Sequence, residues 1–223
     1  MIKNWKENTV YISLMQLTLL GVNFFLITII SKEYGAEIYG EYAASKSLSV
    51  LIGTATVLSL ALVVTKLRAQ NVDFKNSLFT NSYFLVIRNL FIALALIFPL
   101  TIVFGRDYSL TAFFLIGFVF NEMIHIALAY FQADGNFVIT SKQIIVRTIF
   151  YGFGAWLIVS NGHPIIWVVI YQSAILFIFF WVAHFYLPNN DKLTDPNVDK
   201  LTRKELNNSG RKMVLTTFSS ALI

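Results

Sequence analysis

Six apolar runs, each long enough to cross a bilayer, alternate with short polar stretches along the chain. They cover residues 10–30, 43–64, 79–104, 110–130, 140–160 and 164–187. A helix rises about 1.5 Å per residue, so roughly 20 residues span the ~30 Å hydrocarbon layer. Each run therefore predicts one transmembrane helix. The apolar core of a secretory leader is only about 7 to 15 residues, so the first run reads as a retained helix. The pattern predicts an all-α polytopic membrane protein. Residues 1–188 form a six-transmembrane-helix bundle, 189–212 a basic cytoplasmic link, and 213–223 the start of a seventh helix.

The connections are short. Residues 31–42 predict a hairpin turn, with Gly35 and Gly40 supplying backbone freedom. Asp134 and Gly135 mark another turn, and Asn161-Gly-His-Pro164 a third. Composition agrees with the pattern: of 223 residues, 57% are hydrophobic and 13% charged, where a soluble domain carries about a quarter charged residues. A net charge of +5 is then no sign of nucleic-acid binding, because its distribution follows the membrane. With the N-terminus inside, twelve of the seventeen Lys/Arg residues fall in cytoplasmic segments and two, Lys32 and Arg106, in external loops. That asymmetry predicts a cytoplasmic N-terminus and link.

Polar residues within the runs are the candidate functional groups. Lys46, Arg88 and Arg147 are the three cations inside predicted helices. Charge at mid-membrane costs about 2.5 to 3.5 kcal/mol on lenient scales, which calls for a partner or a watery cavity. Arg88 and Asn81 are seven apart, as are Gln16 and Asn23, and each pair shares a helix face. Glu122 and His125, three apart, share another. Two readings of Arg88 stay open, pairing with Glu122 or lining a polar cavity, while snorkelling suits Lys46 and Arg147 better. Gln16 and Asn23 are expected to face other helices, either bonding between helices or touching a ligand.

No catalytic constellation emerges. His125, His163 and His184 lie on separate elements, and Cys is absent. There is neither a phosphate-binding Gly-rich loop nor a zinc-site motif. An enzyme, a metal and a cofactor are not expected.

The hairpin carries a resemblance. Tyr34-Gly35, Tyr39-Gly40 and Tyr42, after an Asn/Gln-dotted first helix, resemble the start of bacterial polysaccharide flippases. These are the O-antigen and exopolysaccharide repeat-unit translocases of the multidrug/oligosaccharidyl-lipid/polysaccharide exporter superfamily. The front half of such a protein is six helices followed by a basic link. The resemblance implies an inner-membrane transporter that flips undecaprenyl-diphosphate-linked oligosaccharide from the cytoplasmic to the periplasmic leaflet. Lys46, Arg88, Arg147, Asn81, Gln16 and Asn23 are then candidates for the substrate path. Glu122 and His125 are candidates for coupling to a proton or sodium ion.

Two other readings stand beside it. One is a cation-coupled drug exporter of the same superfamily, which needs an acidic cavity. The other is a non-transporting, truncated membrane fragment. Residues 213–223 make only about 16 Å of helix, half a bilayer. Following a basic link as they do, they suggest one half of a two-repeat, roughly twelve-helix transporter. A second half or partner chain is expected to complete it.

Overall fold

The computed structural model describes residues 5–57, 60–69 and 75–186, together with residues 204, 206, 208 and 209. Among them every regular element is helical: α1 (Trp5–Val57), α2 (Leu60–Ala69), α3 (Lys75–Val103), α4 (Tyr108–Ala133), α5 (Phe137–Ser160) and α6 (Ile165–Phe185). Among the described residues, five helices are long and apolar enough to cross a membrane. The expected seventh helix at 213–223, and most of the basic link, lie outside the described residues.

While residues 60–64 open α2, the first of these helices covers the first predicted run and most of the second. Within its 53 residues a single position, Gly35, leaves helical geometry, at φ 83° and ψ 170°. Only glycine adopts that backbone readily, so this one residue does what the predicted 31–42 turn was expected to do. The remainder of that stretch, Gly40 included, is helical. Polar composition had suggested a loop there, but helix is retained on both sides of the break.

Contacts show that the chain reverses at Gly35. Ahead of it, the Asn8 amide donates to the Gly135 carbonyl at 3.1 Å, Val22 faces Gly152, and the Tyr34 hydroxyl donates to the His163 carbonyl. The first limb therefore runs beside α5 and in its direction. Beyond Gly35, Glu41 accepts from the Asp107 backbone N–H at 3.0 Å, and Ser49 donates to the Thr111 carbonyl at 2.7 Å. Gly53 then abuts Phe118. The second limb thus follows α4.

The remaining helices alternate likewise. Phe98 meets Tyr108 and Phe79 meets Tyr130, so α3 opposes α4. Ser173 donates to the Phe113 carbonyl at 2.8 Å, and Phe120 meets Phe177, so α6 runs with α4. The Tyr171 hydroxyl donates to the Phe150 carbonyl at 2.8 Å, and Gln143 to the Phe179 carbonyl at 3.3 Å, so α5 opposes α6.

Helix α4 is the hub. Leu115, Val119, Ile124, Ile126 and Leu128 are buried against α2, α3 and α6. Its start is fixed by Asp107, whose carboxylate accepts from the Leu110 N–H at 2.8 Å, satisfying a donor that helix geometry leaves open. The other helices turn apolar side chains outward, Phe24, Phe91, Val103 and Phe185 among them. Such a surface suits lipid and does not suit water.

Candidate functional site

At mid-depth, four segments turn polar side chains toward one another. The second limb of α1 brings Tyr42 and Lys46, α4 brings Asn121, Glu122 and His125, α5 brings Arg147 and Tyr151, and α6 brings Gln172 and Ser173. Counted from the ends on the Gly35 side, Tyr42 and Gln172 lie about 10 Å deep and Glu122 and Arg147 about 20 Å. They form a descending series rather than a single plane.

Arg147 is the anchor. It is 6% exposed, and its electrostatic neighbours are Tyr151 and Glu122, with His125 close enough to feel its charge. Glu122 also accepts a long hydrogen bond, 3.4 Å, from the Asn121 amide. One guanidinium nitrogen, Nη1, is fully buried and finds no hydrogen-bond partner among the described residues. A buried donor without a partner is costly, and the cost is larger on a charged group.

From Arg147 a chain of hydroxyls leads toward the Gly35 end. Tyr151 lies beside Tyr42, and the Tyr42 hydroxyl donates to Gln172 Oε1 at 3.2 Å. Tyr42 is held there by Phe114, edge to face at 4.9 Å. Gln172 is 2% exposed, and its Nε2 is another buried donor without a partner among the described residues. Beside this chain lies a cavity of about 170 Å³. Lys46, Asn121, Tyr151 and Ser173 give it a polar side, and Phe114 and Phe118 an apolar one. The donors outnumber the acceptors, so the site suits an anionic or acceptor-rich group.

Four of the eight sequence candidates, Lys46, Glu122, His125 and Arg147, converge here. The other four do not. Arg88 is exposed on α3, and its guanidinium donates to its neighbour Asn89 at 3.2 and 3.1 Å. The charge facing Glu122 is Arg147, so Arg88 does not pair with it in this structure. Asn81 is buried at 1% while Arg88 seven residues on is exposed, although one face was expected for both. The buried side of α3 is wide at Asn81, Ser82, Leu85 and Val86. It then narrows to Ala93, Ile97 and Thr101, leaving Arg88 outside.

Gln16 and Asn23 are exposed too, where an inward face was expected. The inward stripe of the first limb is Met15, Leu19, Val22, Leu26 and Ile30. Gln16 and Asn23 each follow a stripe residue by one position, a rotation of about 100°.

Sequence reasoning missed Tyr42, Asn121, Tyr151, Gln172 and Ser173 as members of the site. Gln172 was the most accessible signal, being the lone amide within the sixth apolar run.

No protein-family model, curated protein or solved structure matches this chain.

Proposed function

We propose that this chain takes part in flipping an undecaprenyl-diphosphate-linked oligosaccharide across a bacterial inner membrane, for surface-polysaccharide assembly. The observation that carries the reading is the two interior cations, Arg147 buried and Lys46 half-buried. Lys46 lines the cavity with Asn121, Tyr151 and Ser173, and Arg147, whose Nη1 has no partner among the described residues, lies next to Tyr151 beyond it. A diphosphate is what such a donor set would stabilise, since charge-assisted bonds to phosphate are stronger than neutral ones. The Tyr-Gly hairpin pattern supports the same reading. A drug exporter for cations would need an interior with the opposite balance of charge.

In this reading the six segments are six membrane spans with the N-terminus cytoplasmic, as the Lys/Arg distribution requires. The cavity of about 170 Å³ fits a phosphate group and not a sugar chain. The helices must therefore part for the oligosaccharide, and a second half or partner chain supplies the facing wall. Glu122 and His125, beside Arg147, are placed to exchange a proton as the anion enters and leaves. Arg147 holds Glu122 as its counter-charge until the diphosphate competes for the guanidinium.

A translocation assay tests this. The full protein as the cell makes it is reconstituted in liposomes with a fluorescent lipid-diphosphate oligosaccharide, and the fraction shielded from an impermeant quencher is followed over time. Faster translocation than in protein-free liposomes is expected, with the increase lost on Lys46→Gln. Equal rates with and without protein would reject the proposal.

A further inference from the structure

A second cavity, of about 300 Å³, lies at the end of the bundle away from Gly35. It opens where the first turns of α5 meet the last turns of α6, above the end of α4. Phe131, Ile139, Val146, Phe179 and Val182 give it an apolar wall; Lys142 and Tyr186 bring donors at its mouth, and the Gln143 amide, lower in the wall, donates to the Phe179 carbonyl. Among the described residues no acidic side chain lines it. From Ile139 to Val146 the groove follows about 10 Å of helix axis, from the turn into the hydrocarbon layer.

Lys142 is exposed at the mouth, its Nζ 5.0 Å from the centre of the Tyr11 ring. That cation–π contact steadies the ammonium while leaving its N–H groups available. Tyr186, at the C-terminal end of α6, is exposed beside the same mouth. An apolar trough with a cation and a phenol at its wet end is complementary to an amphiphile with an anionic head.

We propose that this groove holds one anionic phospholipid. Its acyl chain lies between Val146, Phe179 and Val182, and its phosphate rests against Lys142 and Tyr186. A zwitterionic lipid brings the same chain and phosphate but sets a second cation near Lys142, so the headgroup charge decides the preference. A second copy of this chain is a poorer occupant. A two-fold contact through the groove would set Lys142 against its own counterpart. The inference is independent of the transport reading, since none of these residues belongs to the interior cluster.

The test uses the full chain in nanodiscs of equal phosphatidylglycerol and phosphatidylcholine, released into native mass spectrometry to count retained lipids. Wild type is expected to keep one phosphatidylglycerol in preference to phosphatidylcholine. Lys142→Gln should reduce that preference about fivefold. Val182→Trp, which fills the groove from an exposed position, should expel either lipid. Thermal unfolding of both variants should match wild type, which separates lost binding from lost fold. Equal retention of the two lipids by wild type, or an undiminished preference in folded Lys142→Gln, would overturn the proposal. So would a dimer in which the second copy excludes lipid from the groove.

Discussion

Arg147 and Arg88 occupy similar depths in the fifth and third apolar runs, yet their surroundings are opposite. Arg147 is enclosed by α1, α4 and α5 with Glu122, His125 and Tyr151 around it. Arg88 faces outward from α3 and, among the described residues, bonds to its neighbour Asn89. Both are charges in an apolar run, and depth alone ranks them equally. What separates them is rotation about the helix axis relative to the buried stripe. A cation enclosed with a counter-ion is a component of the packing, whereas one outside it is solvated or meets whatever covers that face.

The largest effect is expected at Arg147. Arg147→Ala empties an enclosed site and removes the positive charge that Glu122 senses, a loss of about 2 to 4 kcal/mol. Membrane abundance and detergent melting temperature should both fall sharply. The Glu122→Gln/Arg147→Gln double variant should recover most of the loss. If the single variant were as stable as wild type, the enclosed pair would not be part of the packing.

Glycines sharpen the same contrast. A Cβ on Gly154 would run into the Tyr171 ring, whereas one on Gly21 meets nothing within 4 Å. Gly154→Leu should therefore cost about 1 to 3 kcal/mol, and Gly21→Leu much less. Comparable melting temperatures for the two variants would contradict the α5–α6 contact.

Tyr42→Phe should cost about 1 kcal/mol, because it removes the donor to Gln172 and leaves that amide without its bond. Adding Gln172→Leu should return much of this, since an apolar replacement needs no partner. A double-mutant cycle measures the coupling, and additive losses would deny that the two residues interact.

Arg88→Ala is the smallest change, expected within about 0.5 kcal/mol of wild type in thermal melts. A drop as large as that of Arg147→Ala would erase the distinction between the two positions.

The apolar runs were legible because run length answers directly to membrane thickness, and α3 to α6 coincide closely with runs 79–104 to 164–187. The hairpin was legible as a reversal but not in form. Its polar residues suggested a loop, while the break is confined to Gly35. Lys46, Glu122, His125 and Arg147 could be found because charge within an apolar run stands out. Gln16, Asn23 and Arg88 stood out equally and face outward. A spacing of seven shows that two residues share a face without showing which face is buried. Tyr42 and Tyr151 were hidden for a different reason: tyrosine is common in apolar runs, and only packing shows whether its hydroxyl turns inward. Which residue meets Glu122 depended on the pairing of α4 with α5, which no local pattern encodes.

The most direct test of the interior as the substrate path is a side-by-side translocation assay of Lys46→Gln and Arg88→Ala, at matched protein levels in liposomes. Lys46→Gln should slow oligosaccharide translocation about tenfold or more, as loss of a charge-assisted contact to phosphate implies. Arg88→Ala should transport at the wild-type rate. The reverse result, with Arg88→Ala inactive and Lys46→Gln unaffected, would contradict the interior path and move the substrate to the outer face of α3.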